Sequence, residues 1–546
     1  MSLATVLFRS DRSCLLLIVP LSLLLFSLNL GGRDLWAPDE PRAGTITRHI
    51  VESGSWSELR DNGRPYVQKP PLFFWLAAVA SLPSGAVDEF TLRLPSSITA
   101  VLCVVALFYL GRAMHGRRAG ALAAIVLATS QDFFMEARWA HPDMLLCLCM
   151  TVAALAFYRS AVAGAAEWRL PAYLALGLAL LTKGPVGLLP LLALVVFLAA
   201  TRNLRYLLSA GLGWGVPIIL LPSAVWLAAH RAATGQLFPI LDALALLSAR
   251  VTAGVHHAAP LGHLLAGLPV AFLPWSLFLP GAVIHTFPRR GGRQSPEAFV
   301  YSFLLLYLAV FAISAERRNV YLLPLLPLLS LLIGRVWDTG LFDWRPSPVE
   351  RTIKWGLRAW VLLSLAAPAL AVVRLRSRAP DLIASAIMLG GALAVASISA
   401  AIIRTRRGEG AALATFAAGM VATCVVIATA VLPAIDRHKS SRPFGERIAA
   451  RIGGAALGIY PHYHAAFSYY TGRTLEVLPT MAALDAFLTS APRVYAVVEE
   501  RHFAPGLGGL SIDPDIVDRT RVGHRDYLLV EGGEGFPRRR ETGPVR

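Results

Sequence analysis

Stretches without a single Asp, Glu, Lys or Arg recur along this chain, and they leave few architectures open. They fall at 13–32, 94–111, 119–131, 144–158, 170–182, 184–201, 206–229, within 251–288, 298–315, 319–334, 359–373, 382–403 and 410–435. A helix needs roughly 20 mostly apolar residues to cross a bilayer, because its backbone must be satisfied within the segment. The pattern therefore predicts an all-α polytopic membrane protein with about thirteen transmembrane helices, several borrowing a flanking turn. Only 16% of the 546 residues are charged, against about a quarter in soluble domains. That excludes a soluble enzyme, a disordered chain and a nucleic-acid-binding module. The net charge of +17 reads as loop charge facing a membrane, with no nucleic acid as partner. Cys14, Cys103, Cys147, Cys149 and Cys424 all sit in apolar runs. They read as small buried hydrophobes, without zinc spacing or a disulfide framework.

Loop charge sets the orientation. The stretch 70–87 is uncharged too, but its apolar core is only Leu72–Leu82, bracketed by prolines. It is too short to cross and suits an interfacial helix. With that segment non-spanning and the N-terminus cytoplasmic, the cytoplasmic loops hold 20 Lys/Arg in 73 residues. The outer loops hold 16 in 117. This is the positive-inside bias of an uncleaved first span with the tail outside, although Arg374, Arg376 and Arg378 run against it. The tail, 436–546, carries 28 charges in 111 residues. Apolar runs at Ala455–Tyr460 and Val494–Val498 look like strands, and Met481–Leu488 has helical spacing. The expected organisation is a membrane domain, 1–435, with a first outer loop at 33–93, and a small α/β domain on the outer face, 436–546.

The outer loops hold 14 acidic residues against 7 on the cytoplasmic side. Ionisable groups beside spans are costly and often functional. Asp39, Glu40 and Arg42 form a carboxylate pair beside a cation, suited to general-base work or, more blandly, to a solvated helix-capping turn. Lys69, before Pro70 and Pro71, could hold a phosphate as a point charge or simply snorkel at a helix end. Asp143, at the entrance to an apolar run, needs a partner or caps a helix. Glu316, Arg317, Arg318 and Tyr321 place two arginines in an outer loop, where phosphate binding would explain them. His256-His257 is weak evidence for a metal. Lys183-Gly184-Pro185 reads as an outer turn.

The ordered motifs "DEPRAG", "YVQKPPLFFWL", "RLPS", "ARWAHPDM" and "RRNVYLLPLLPLLSLL" resemble the membrane glycosyltransferases that use a polyprenyl-phosphate sugar. The branch is the 4-amino-4-deoxy-L-arabinose lipid A transferase and protein O-mannosyltransferase superfamily, with the GT-C fold. The resemblance covers roughly 30–335 and reaches the tail through "LPAIDRHKSSRP" and "FSYYTGR". It implies Asp39 as catalytic carboxylate, accompanied by Glu40, with Asp143 as second acidic position. It implies Lys69, Arg42, Arg317, Arg318 and Tyr321 around the donor phosphate. Members of the lipid A branch commonly have Glu before the lysine; here it is Gln68, so a divalent cation is left open. No organic cofactor is expected. The implied donor is a polyprenyl-phosphate-linked sugar. The acceptor is an envelope glycolipid such as lipid A, or a protein hydroxyl. The implied place is the outer face of the inner (cytoplasmic) membrane, among membrane lipids. A lipid-linked-sugar transporter is the alternative class, but no two related halves are visible.

Overall fold

The structure is a computed structural model; it describes residues 8–235, 261–287, 295–314, 318–342, 348–503 and 509–536. His256, His257, Glu316 and Arg317 lie outside the described residues. Eight helical segments among the described residues are long and apolar enough to cross a membrane. They are Glu89–His115, Pro142–Val162, Ala166–Ala200, Leu212–Thr234, Pro296–Ile313, Ile353–Leu375, Pro380–Arg407 and Glu409–Lys439. The first shows why they form. Asp88 accepts from Thr91 N (2.8 Å) and Thr91 Oγ1 accepts from Asp88 N (3.0 Å), closing a capping box. Its 27 residues then extend about 40 Å. Helices also fill the shorter uncharged stretches, at Asp11–Ser27, Arg117–Ala128 and Leu325–Phe342.

The two stretches beside Lys183 are separated by a tight turn at Gly184–Leu188. Gly184 has φ +71°, and a Cβ on Gly187 would lie 2.5 Å from the Ala179 carbonyl carbon. In a straight helix residues eight apart are separated by about 12 Å, so the turn folds back against the end of the preceding helix. Close packing elsewhere rests on small residues: a Cβ on Gly111 would approach Gly120 Cα to 2.7 Å. Without a hydrophobic driving force between helices in lipid, such backbone contact is what holds neighbours together. The segment Leu72–Ser81 has ten residues, about half of a bilayer crossing. All five cysteines are free and buried.

Two short strands, β1 (Arg60–Asp61) and β2 (Arg64–Pro65), form a hairpin in the first loop. The tail folds around a five-stranded sheet. Its strands are β3 (Ala456–Tyr460), β4 (Glu476–Val477), β5 (Val494–Glu499), β6 (Asp515–Val522) and β7 (Arg525–Gly532), in the order β4-β3-β5-β7-β6. β3 pairs parallel with β4 and β5; β7 pairs antiparallel with β5 and β6. Both faces of β5 are buried. Val494, Ala496 and Val498 pack with Leu484, Phe487 and Leu488, while Tyr495 and Val497 pack with Phe444, Ile448 and Phe467. A strand covered on two faces reads as a continuous apolar run, which is what made it visible in sequence.

The tail sits on the first loop. A Cβ on Gly44 would meet the Tyr469 ring at 2.5 Å, so only glycine lets helix Asp39–Ser53 approach helix Ala465–Thr471 this closely. Asp436 Oδ1 accepts from Trp36 Nε1 (2.6 Å) and Oδ2 from Asp34 N (2.9 Å). Tyr470 Oη accepts from Leu35 N (2.6 Å). The exposed Arg374, Arg376 and Arg378 lie at the same end of the bundle, because neighbouring Asp381 pairs with His438 at 2.7 Å.

Candidate active site

Asp39 and Glu40 open helix Asp39–Ser53, where the helix dipole favours negative charge. They point to different places. Glu40 is fully buried. Its Oε1 accepts from Arg33 Nη2 (3.2 Å), Arg93 Nε (2.7 Å) and Ala140 N (3.1 Å). Its Oε2 accepts from Arg33 Nη1 (2.6 Å), Arg93 Nη2 (3.1 Å) and Trp36 N (3.0 Å). A carboxylate offers about four lone-pair sites, so none is left for substrate or proton transfer. Burial alone would raise its pKa; Arg33 and Arg93 outweigh burial and bring it down to about 2. The structure places Glu40 away from the pocket, as an anchor of the loop. Arg93 extends the anchor by donating to the carbonyls of Leu30, Arg33 and Asp34.

Asp39 faces the other way, into a small pocket lined by Arg42, Tyr66, Lys69 and His141. Its Oδ2 accepts from Arg318 Nη2 at 2.6 Å and lies 3.2 Å from His141 Nε2. Its Oδ1 is 3.7 Å from Lys69 Nζ. Burial alone would raise the Asp39 carboxyl; His141, Lys69 and Arg318 together hold it well below the usual carboxylate range. His141 relays the cluster onward, with Nδ1 3.2 Å from Glu136 and 3.8 Å from Asp143. Asp143 is buried and paired with Lys183. The Lys183 ammonium lies 4.8 Å over the Tyr321 ring. Tyr321 thus contacts the cluster through Lys183, and its ring stacks on Phe311. Arg42 pairs with Asp61 at 3.2 Å.

The structure therefore brings together Asp39, Lys69, Arg42, Arg318, Asp143 and, through Lys183, Tyr321. With His141 protonated, the cations Arg42, Lys69, His141, Lys183 and Arg318 outnumber the carboxylates Asp39, Asp61, Glu136 and Asp143. That surplus suits an anionic group. Among the described residues no three His, Cys, Asp or Glu side chains converge as metal ligands. Sequence reading missed Lys183 and His141. The signal was there: a lone lysine and a lone aspartate, each at the edge of an apolar run, both need a partner near the membrane.

Burial alone would lower the His141 pKa; Asp39 and Glu136 raise it to about 9. A histidine raised above its ordinary value near 6.5 contributes stability that is complete below that pH and lost as pH rises through about 9. That interval caps the linked stability at roughly 3 kcal/mol. The melting temperature of the purified protein is expected to fall from pH 7 to 9.5, and His141→Gln to flatten that slope. An unchanged slope in the variant would refute the assignment.

The chain is similar to known proteins in sequence and in fold. Residues 68–228 match the family profile described as dolichyl-phosphate-mannose-protein mannosyltransferase. The undecaprenyl phosphate-alpha-4-amino-4-deoxy-L-arabinose arabinosyl transferase of Pectobacterium carotovorum is 28% identical over 64% of this chain and 62% of its own length. The protein of that name from Pseudomonas aeruginosa is 29% identical over 59% of each. The chain thus spans about three fifths of the length of these relatives. The crystal structure of ArnT from Cupriavidus metallidurans bound to undecaprenyl phosphate superposes with a TM-score of 0.79 at 22% identity, covering 95% of this chain and 98% of that one. The chain therefore has the fold of that undecaprenyl-phosphate-bound protein, and its sequence is similar to the superfamily of aminoarabinose transferases and dolichyl-phosphate-mannose-dependent mannosyltransferases.

Proposed function

We propose that this chain is an integral membrane glycosyltransferase that moves a pentose, aminopentose or hexose from a polyprenyl-phosphate donor to an envelope acceptor such as lipid A. The observation that carries the reading is one pocket in which the Asp39 carboxylate meets Lys69, Arg42 and Arg318. Breaking the sugar–phosphate bond builds charge on the phosphate oxygens, and these preplaced cations stabilise it in a partly dry site. Asp39 stabilises positive charge developing on the sugar or orients the acceptor. Its depressed pKa makes it a poor base, which favours an acceptor that is already ionised, such as a phosphate. Single displacement predicts inversion at the anomeric carbon.

The setting belongs to the same proposal. Residues 1–435 form the membrane domain with thirteen crossings, the N-terminus cytoplasmic. Residues 436–546 form the periplasmic domain of an inner-membrane protein. Support comes from the loop-charge bias and from the contacts of Asp436 and Tyr470 with the first loop. The mannosyltransferase profile favours a second reading, transfer to protein hydroxyls. In that case the donor phosphate would draw off Arg318 and Lys69 and free Asp39 to act as base.

Proteoliposomes given undecaprenyl-phosphate aminoarabinose and lipid A are expected to yield sugar-modified lipid A by mass spectrometry. Product on a co-reconstituted protein instead would select the second reading. Donor crossing the bilayer with no product on either acceptor would make the chain a transporter.

A further inference from the structure

We propose that the C-terminal unit braces the pocket, with Tyr463 a positioning residue that acts through Asp61 to aim Arg42 at the donor phosphate. This rests on the functional reading above. Arg42 lies three residues after Asp39, on the same face of one helix, and lines the same pocket. Its Nε is ion-paired with Asp61 Oδ2 at 3.2 Å. Among the described residues its two Nη groups carry no hydrogen-bond partner, so the outer fork of the guanidinium is left for a ligand. A guanidinium ion-paired at Nε keeps its two Nη donors for a second anion, and such a pair grips phosphate oxygens together.

Asp61 is the hinge of the arrangement. Its Oδ1 accepts from Thr45 Oγ1 (2.8 Å) and from Tyr463 Oη (2.7 Å). Two donors on Oδ1 leave Oδ2 turned to Arg42. Thr45 comes from the helix that carries Arg42. Tyr463 comes from the segment after β3, some 400 residues on in sequence. The β1–β2 hairpin that carries Asp61 is tied to the same unit. Asn62 Nδ2 donates to the Leu475 carbonyl (2.8 Å), and Leu475 N donates to Asn62 Oδ1 (2.7 Å). Asn62 has φ +52°, a conformation that asparagine tolerates better than most residues. The loop thus presents its side-chain amide to a backbone as a strand would. Tyr463 and the Leu475 backbone that grips the hairpin fix Asp61 from two directions, and both belong to a unit that contributes no side chain to the pocket wall.

The test is a double-mutant cycle between Tyr463→Phe and Arg42→Ala, read by donor KM and by binding of undecaprenyl phosphate in detergent. Tyr463→Phe alone is expected to raise donor KM about tenfold, with kcat changed less than about threefold, because the aim of a binding group is lost rather than the chemistry. In the Arg42→Ala background it is expected to add nothing. Asp61→Asn is expected to repeat the pattern. Additive effects, or a Tyr463→Phe enzyme with wild-type KM, would overturn the inference while leaving the transferase reading intact. A wild-type protein that neither transfers sugar nor binds undecaprenyl phosphate would overturn both.

Discussion

Asp39→Asn is expected to slow sugar transfer by about a thousandfold while undecaprenyl phosphate still binds. The substitution keeps shape and helix start, and removes only the negative charge. Arg318 at 2.6 Å, His141 at 3.2 Å and Lys69 at 3.7 Å then face a neutral amide. The pocket becomes more positive, so a bare lipid phosphate binds as well as before or better. What is lost is the one carboxylate placed to meet positive charge on the sugar or to orient the acceptor. Single-turnover transfer beside equilibrium binding separates the two. A variant within about tenfold of the wild-type rate would remove Asp39 from the chemistry, since a group acting in the transition state contributes more.

Glu40→Ala is expected to act on the fold instead. It strands Arg33 and Arg93, both buried, without their shared counter-ion. Removing one partner from a buried pair costs about 3–5 kcal/mol, and here one carboxylate serves two guanidiniums. Arg33 also lies 4.5 Å from the rings of both Trp36 and Trp139, so the loop around it has nowhere to relax. The variant should fail to accumulate or should melt far below wild type. Glu40→Gln, which keeps some acceptor capacity, should fall between. Thermal melting monitored by size-exclusion chromatography decides it; a Glu40→Ala protein with wild-type melting would contradict the anchor role.

These two neighbours show where sequence reading stops. Consecutive residues on a helix point about 100° apart, so Asp39 reaches the pocket and Glu40 the interior. Two adjacent acids look alike until the helix phase and the surrounding arginines are known. The apolar stretches were legible because lipid tolerates so few charges, and β3 and β5 because burial on both faces demands unbroken apolar runs. β6, with the sequence DIVDRTRV, lies at the sheet edge and alternates with exposed polar residues, so nothing marked it. Lys183 was read as a turn residue; it closes helix Arg169–Lys183 just before the turn and delivers its ammonium to Asp143. The link from Tyr463 to Asp61 had no local signal, since it joins two polar residues far apart in the chain.

The central claim is that the Asp39 pocket receives the donor phosphate. A cryo-electron microscopy map of this chain with undecaprenyl phosphate in a lipid nanodisc tests it most directly. The account predicts phosphate density within hydrogen-bonding reach, about 3 Å, of Lys69, Arg318 and the Arg42 fork, beside Asp39. Phosphate held elsewhere on the bundle, with Arg318 still bound to Asp39 and the pocket empty, would contradict it.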